Sequence, residues 1–248
     1  LTGIGAWTAT DFWQAMHHGR SKDGRLLYPA FPYTEYTRIT RDDTDAMFAY
    51  LLSVQPVQQA NRPHALKFPY NTQAALAVWR ALFFSPEPFE PVKQQSDEWN
   101  RGAYLVKGLG HCQACHAPRN MFGATQANSG LSGGLIPMQN WYAPSLSSPA
   151  EAGLQDWTIE EIMQLLKIGM TASSSTLGPM AEVVFSSTQH LNQKDLKAMA
   201  HYLKELPRQE SAKADTKLAN AESLQIGQNL YLNQCASCHG DNGEGRGS

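Results

Sequence analysis

Cysteine is scarce in this chain: 248 residues contain four. All four lie in two short frames, which leaves none for a disulfide or a solitary nucleophile. An excess of positive charge is also missing. Twenty Lys and Arg stand against twenty-two Asp and Glu, a formal charge of -2, so there is no basic footprint for nucleic acid and no nucleic-acid partner is expected. No run of about twenty apolar residues occurs, so no segment reads as a membrane-spanning helix. The opening residues, "LTGIGAWTAT", have neither the charged start nor the apolar stretch of a signal peptide. They read as mid-domain sequence, and the chain is expected to be a fragment lacking both ends. Apolar and polar residues almost never alternate with a period of two, which points away from β-sheet and towards an all-α class.

What is present is concentrated. Residues 110–118 read "GHCQACHAP" and residues 234–240 read "QCASCHG". Each contains Cys-x-x-Cys-His, the frame of covalent haem attachment. Two thiols one helical turn apart can each form a thioether to a haem vinyl group, and the adjacent histidine turns its imidazole onto the iron. Cys112, Cys115, Cys235 and Cys238 are therefore candidate attachment residues, with His116 and His239 as candidate iron ligands. A structural zinc site would need both pairs folded together, yet more than a hundred residues separate Cys115 from Cys235. A redox dithiol would start a helix after a strand, and no strand pattern precedes either frame. A haemless interaction module would have no use for two complete frames.

The chain also repeats itself. "GIGAWTATDFWQAMHHG" (3–19) matches "GLQDWTIEEIMQLLKIG" (153–169) without a gap, with Trp7 on Trp157, Thr8 on Thr158 and Gly19 on Gly169. After a two-residue adjustment, Ala46, Met47, Tyr50 and Leu51 fall on Ala198, Met199, Tyr202 and Leu203. A period near 150 residues suits duplicated domains rather than solenoid repeats. Helical spacing is predicted for "DEWNRGAYLVKGLG", "TIEEIMQLLKIG", "NQKDLKAMAHYLKELP" and "ESLQIGQNLYLNQ". Gly102 and Gly227 are expected to let the first helix of a domain cross closely against its last, with Tyr202 at the contact. "FSPEPFEPVKQQSD" and "PRQESAKADTK" read as linkers. His17, His18, His64, His111, His190 and His201 are read as surface or satisfied core residues, and Met163 and Met199 as core.

"TGIGAWTATDFWQAMHHG", "LLYPAFPYTEYTRIT", "FPYNTQAALAVWRALFF", "CQACHAPRN" and "YAPSL" together resemble the tri-haem cytochrome c subunits of bacterial periplasmic dehydrogenase complexes. These subunits serve quinoprotein alcohol dehydrogenases, flavin-dependent gluconate or sorbitol dehydrogenases, and molybdenum hydroxylases of the nicotinate dehydrogenase type. The resemblance covers nearly the whole chain. It implies tandem cytochrome c-like domains, each with short helices and long loops enclosing a haem. Residues 1–60 would be the carboxy-terminal part of a first domain, 61–95 an inter-domain linker with a helix, 96–207 a complete second domain, 208–221 a linker and 222–248 the start of a third. Haem c, covalently bound, is the implied cofactor, with two attachment sites here and three in the full-length protein.

Met180, in a Gly-Pro-Met turn between two predicted helices, is similar in place to the family's sixth iron ligand. The alternatives are a buried core methionine and, as ligand, Met170; Met138 falls too early in the chain. Arg119 stands where the family can have an arginine facing a haem propionate, or else is a surface charge. Phe31 occupies the place of a methionine in the alcohol dehydrogenase branch. "YPAFPY" is closer to the cytochromes that partner molybdenum enzymes. The resemblance implies an electron-transfer subunit without catalytic residues, working with a catalytic dehydrogenase subunit and passing electrons to quinone or a terminal oxidase. It also implies a periplasmic location, with inner-membrane association through partners or a missing segment. An enzyme such as a multihaem peroxidase or a thiosulfate dehydrogenase is the alternative, and would need an open or unusually ligated iron.

Overall fold

The computed structural model describes residues 3–136, 139–209 and 220–243, and the chain divides into two compact units, residues 1–209 and 210–248. The first unit is helical apart from one short hairpin. Its α-helices are α1 (Ala9–His18), α2 (Tyr33–Tyr36), α3 (Arg41–Ser53), α4 (Gln73–Phe83), α5 (Asp97–Tyr104), α6 (Gln113–His116), α7 (Ile159–Ile168), α8 (Pro179–Ser186) and α9 (Gln193–Lys204). The hairpin pairs β1 (Gly134–Ile136) with β2 (Trp141–Ala143), Ile136 standing opposite Trp141. The second unit contains α10 (Ala221–Gln234) and α11 (Ala236–His239).

The repeat seen in the sequence recurs in the backbone. Thr8 and Thr158 each close a capping box, with Asp11 and Glu161 respectively. The two helices that follow end at Gly19 (φ 56°) and Gly169 (φ 77°), in the left-handed region where a side chain would be strained. Beyond each cap the chain returns to it in the same way: Leu27 N–H donates to the Gly19 carbonyl and Thr176 N–H to the Gly169 carbonyl, both at 2.8 Å.

The core of the first unit forms where α5, α7 and α9 meet. Ser96 caps α5 and Asn192 caps α9, each side chain accepting from a backbone N–H three residues on. The apolar face of α9 carries Leu196, Met199, Ala200 and Leu203, all buried, against Ile162 and Leu166 of α7 and Val106 and Leu105 after α5. Each such large side chain, fully buried, is stabilised by roughly 1.5–3 kcal/mol. Gly102 makes the α5–α9 crossing possible, because a Cβ there would lie 2.0 Å from the Ala198 carbonyl oxygen and 2.8 Å from Cβ of Tyr202. The expected crossing, including Tyr202, is therefore present. A Cβ added at Gly227 would meet nothing within 4 Å among the described residues, so the crossing expected there has no contact to show. Trp99 meets Tyr202 edge-on at 5.0 Å.

Polar contacts fix the crossing angle. Arg101 donates from Nε and Nη2 to the two carboxylate oxygens of Asp195 at 2.7 and 3.1 Å. This pairing holds the Asp195 carboxyl below its ordinary range, against the opposing effect of burial. A depressed carboxyl stabilises the fold above its unfolded pKa, and that contribution disappears as pH falls through the folded value. Arg101→Met is accordingly expected to lower thermal stability at neutral pH, by no more than about 1 kcal/mol because the arginine is 41% exposed and screened. The difference from the parent should vanish in acid, where melting curves across pH would detect it.

The earlier copy of the repeat is strapped onto this core. Tyr104 donates to Asp43 at 2.5 Å and accepts from Thr40 N–H at 3.1 Å. α4 returns across the same copy: the Gln73 amide bonds both the N–H and the carbonyl of Leu26, and Arg80 donates to the His18 carbonyl at 2.7 Å. Phe31 is half-buried against the core and edge-on to Tyr36 at 5.5 Å. His17 departs from the sequence reading. It is buried and stacked on Trp13 at 4.3 Å, and its Nδ1 has no hydrogen-bond partner among the described residues. Burial holds its pKa below the usual histidine value, so the ring is accommodated as a neutral aromatic. The α3 positions that match Tyr202 and Leu203, namely Tyr50 and Leu51, are exposed, unlike their counterparts.

Candidate haem site

The first frame begins where α5 loosens. Leu105–Leu109 form a π-helical turn in which Gly110 N–H reaches back to the Leu105 carbonyl at 2.7 Å. His111 then takes a positive φ of 37°, and Cys112 starts the single turn of α6. Within that turn His116 N–H donates to the Cys112 carbonyl at 2.9 Å, so both cysteines and the histidine are presented by one short rigid element. π-turns inside helices recur at functional sites.

His116 is oriented from outside its own helix. Its Nδ1 lies 2.8 Å from the Pro144 carbonyl oxygen, which has no proton to offer, so Nδ1 carries the hydrogen and Nε2 keeps its lone pair. Burial lowers the pKa of the imidazole, and the Pro144 carbonyl works in the opposite direction. Gly133 N–H donates to the His116 carbonyl at 2.8 Å. At Gly134 a Cβ would lie 2.4 Å from the Ala117 carbonyl oxygen, so β1 presses against the end of α6 with no room for a side chain.

The thiols are not poised as nucleophiles. Burial, followed by the neighbouring Cys115, pushes the Cys112 thiol up to about 12. Cys115 is also raised by burial, with Arg119 opposing. A protonated thiol is a poor redox nucleophile. Among the described residues, no three His, Cys, Asp or Glu side chains come together to hold a metal ion. A neutral imidazole with Nε2 free, next to two thiols on one turn, fits a haem attached through Cys112 and Cys115.

Met180 sits in the first turn of α8, half-buried, and packs against the same core cluster as Cys112. The preceding Gly178 has φ 53° and ψ -132°. A Cβ there would lie 2.4 Å from the Trp141 ring, so the indole closes one side of the turn. Met170 is 58% exposed. Met163 packs against the core and Met199 is buried within it; Met138 lies outside the described residues. Arg119 donates to the carbonyls of Gly123 and Ala114 at 2.8 Å each, tying the following loop to α6. Its Nε is buried with no partner among the described residues. Pro144 and the Trp141–Gly178 contact were not singled out by sequence, although "YAPSL" contains the proline.

The second frame folds locally in the same way. His239 N–H donates to the Cys235 carbonyl at 2.9 Å, and the Tyr231 hydroxyl donates to the Gly240 carbonyl at 2.7 Å. Cys235 and Cys238 are exposed.

A mostly helical chain carrying two such frames is a c-type cytochrome. No family model matches the chain. It is 40% identical over 245 residues to a nicotinate dehydrogenase subunit of Pseudomonas putida, covering 97% of this chain and 20% of that protein. It is 37% identical over 259 residues to the gluconate 2-dehydrogenase cytochrome c subunit of Pantoea cypripedii, covering 98% of this chain and 58% of that one. A diheme cytochrome c-type protein of Cereibacter sphaeroides is 37% identical over 206 residues, with 83% of this chain and 68% of the relative covered. The chain thus spans a fifth to somewhat over two-thirds of these relatives. It belongs to their family, the cytochrome c proteins that include the cytochrome subunits of dehydrogenase complexes, and haem c is the family's cofactor.

Proposed function

We propose that this chain is the central portion of a multihaem electron-transfer subunit. The observation that carries the reading is His116, half-buried and held at Nδ1 by the Pro144 carbonyl so that Nε2 keeps its lone pair, on the same turn as two cysteines whose thiols burial pushes up. Haem c, when bound, supplies reversible one-electron chemistry at its iron. Cys112 and Cys115 fix its position, His116 furnishes a basic nitrogen of settled tautomer, and Met180 supplies a soft thioether that raises the potential. Cys235, Cys238 and His239 would hold a second haem, and Arg119, whose buried Nε has no partner among the described residues, would pair with a propionate of the first. A filled sixth position favours outer-sphere transfer over ligand chemistry, so this chain holds no catalytic residues of its own.

In this reading residues 1–60 end one cytochrome domain, 96–207 form a second and 222–248 begin a third, with 61–95 and 208–221 as connections. The full-length protein then carries three haems. Electrons come from a catalytic dehydrogenase subunit and leave to quinone or a terminal oxidase. Such a subunit works in the periplasm at the inner membrane; among the described residues no helix is long and apolar enough to cross a membrane. The names of the relatives support a dehydrogenase partner, and "YPAFPY" favours a molybdenum enzyme among the possible partners.

The test is an anaerobic redox titration of the mature full-length protein, with peroxide added afterwards. Reversible one-electron steps, one per haem, and no sustained consumption of peroxide are the expected results. Steady peroxide turnover would overturn the assignment in favour of an enzyme.

A further inference from the structure

The β1–β2 hairpin touches both sides of the candidate site. At its start, Gly133 N–H bonds the His116 carbonyl at 2.8 Å, and just past its end the Pro144 carbonyl holds His116 Nδ1 at 2.8 Å. From β2 itself the Trp141 ring lies against Gly178, two residues before Met180. Gly178 adopts φ 53° with ψ -132°, a conformation open to glycine and costly for any residue with a side chain. The space that a Cβ would take is filled by a flat, rigid indole, 2.4 Å from where that atom would stand.

We propose that Trp141 is a positioning residue for the sixth ligand: its ring latches the Gly178–Pro179–Met180 turn, so that one hairpin would hold both His116 and Met180 for the middle haem. This rests on Met180 being that ligand. Trp141 is 42% exposed, so much of its surface lies outside the core and its contact with Gly178 is a separable feature. Pro179 restricts the turn on one side by its fixed φ; Trp141 restricts it on the other. With the ring removed, the turn gains conformers that swing the thioether away, and the iron becomes open to water or added ligand.

The experiment compares Trp141→Ala, Trp141→Phe, Gly178→Ala and Met180→Ala in the mature full-length protein. It reads haem content, the weak far-red absorbance of methionine–ferric iron ligation, the middle-haem potential and carbon monoxide binding. Trp141→Ala is expected to keep its haem, lose most of one haem's share of the ligation band, lower the middle potential and bind carbon monoxide, with Trp141→Phe restoring most of the parent behaviour. Gly178→Ala approaches the contact from the other side, leaves Trp141 in place and should give the same signature. Lowered thermal stability with an unchanged band and potential in Trp141→Ala and Gly178→Ala would overturn the latch while Met180 ligation stood. An unchanged band in Met180→Ala would overturn the ligand assignment and the latch with it.

Discussion

Gly102→Ala is expected to be among the most damaging single substitutions in this chain, although helix propensity alone argues the reverse. In a helix interior, alanine is favoured over glycine by roughly 0.5–1 kcal/mol. Against that gain, the new methyl would sit 2.0 Å from the Ala198 carbonyl oxygen and 2.6 Å from its carbon. Both are backbone atoms of α9, so no side-chain rotation relieves the contact and the whole helix must move. Moving it pulls Leu196, Met199 and Leu203 out of register with α7 and stretches the Arg101–Asp195 pair. Overpacking typically costs about 1–3 kcal/mol, and more where rigid elements must separate; a loss of about 4 kcal/mol would consume much of an ordinary domain's stability. Gly108→Ala is the control, since its methyl would meet Ile39 at an ordinary 3.7 Å. Thermal or denaturant melts of both variants decide the point: a Gly102→Ala protein as stable as the parent would contradict the α5–α9 crossing.

The second large effect concerns Met180→Ala. If the thioether fills the iron opposite His116, removing it replaces a soft ligand with water and lowers the middle-haem potential, because sulfur favours ferrous iron. The shift should be an appreciable part of the roughly 0.8 V over which axial ligands act. Covalent attachment depends on Cys112 and Cys115 and should be unaffected, so haem content stays constant while the ligation band falls by one haem's share. Carbon monoxide should then bind the reduced protein. A band that persists and an iron still closed to carbon monoxide would reduce Met180 to a core residue and bring Met170 forward, despite its exposure.

The parts of this fold that sequence made legible are those whose signal is local. Helical spacing and caps located α7, α9 and α10, and the ungapped match of 3–19 with 153–169 anticipated two equivalent helix ends, which the backbone shows at Gly19 and Gly169. Gly102 was legible because glycine in an amphipathic helix asks for a close neighbour, and Ala198 with Tyr202 is that neighbour. The same argument at Gly227 has no contact to answer it in the described part of that unit. Other features were illegible for physical reasons. "DEWNRGAYLVKGLG" reads as one helix, but its last turn widens into a π-turn at Leu105, a difference of one hydrogen-bond step that periodicity does not resolve. Each strand of β1–β2 is three residues long, too short for alternation to register. The bond from His116 to Pro144 spans 28 residues and depends on the hairpin, so no spacing rule points to it.

The measurement that bears most directly on the central claim is peptide-level mass spectrometry of the mature full-length protein from a host that assembles c-type cytochromes. Two peptides, one holding Cys112 and Cys115 and the other Cys235 and Cys238, are each expected to carry one haem through both thiols. Free thiols in both peptides, or zinc bound in place of covalent haem, would contradict it.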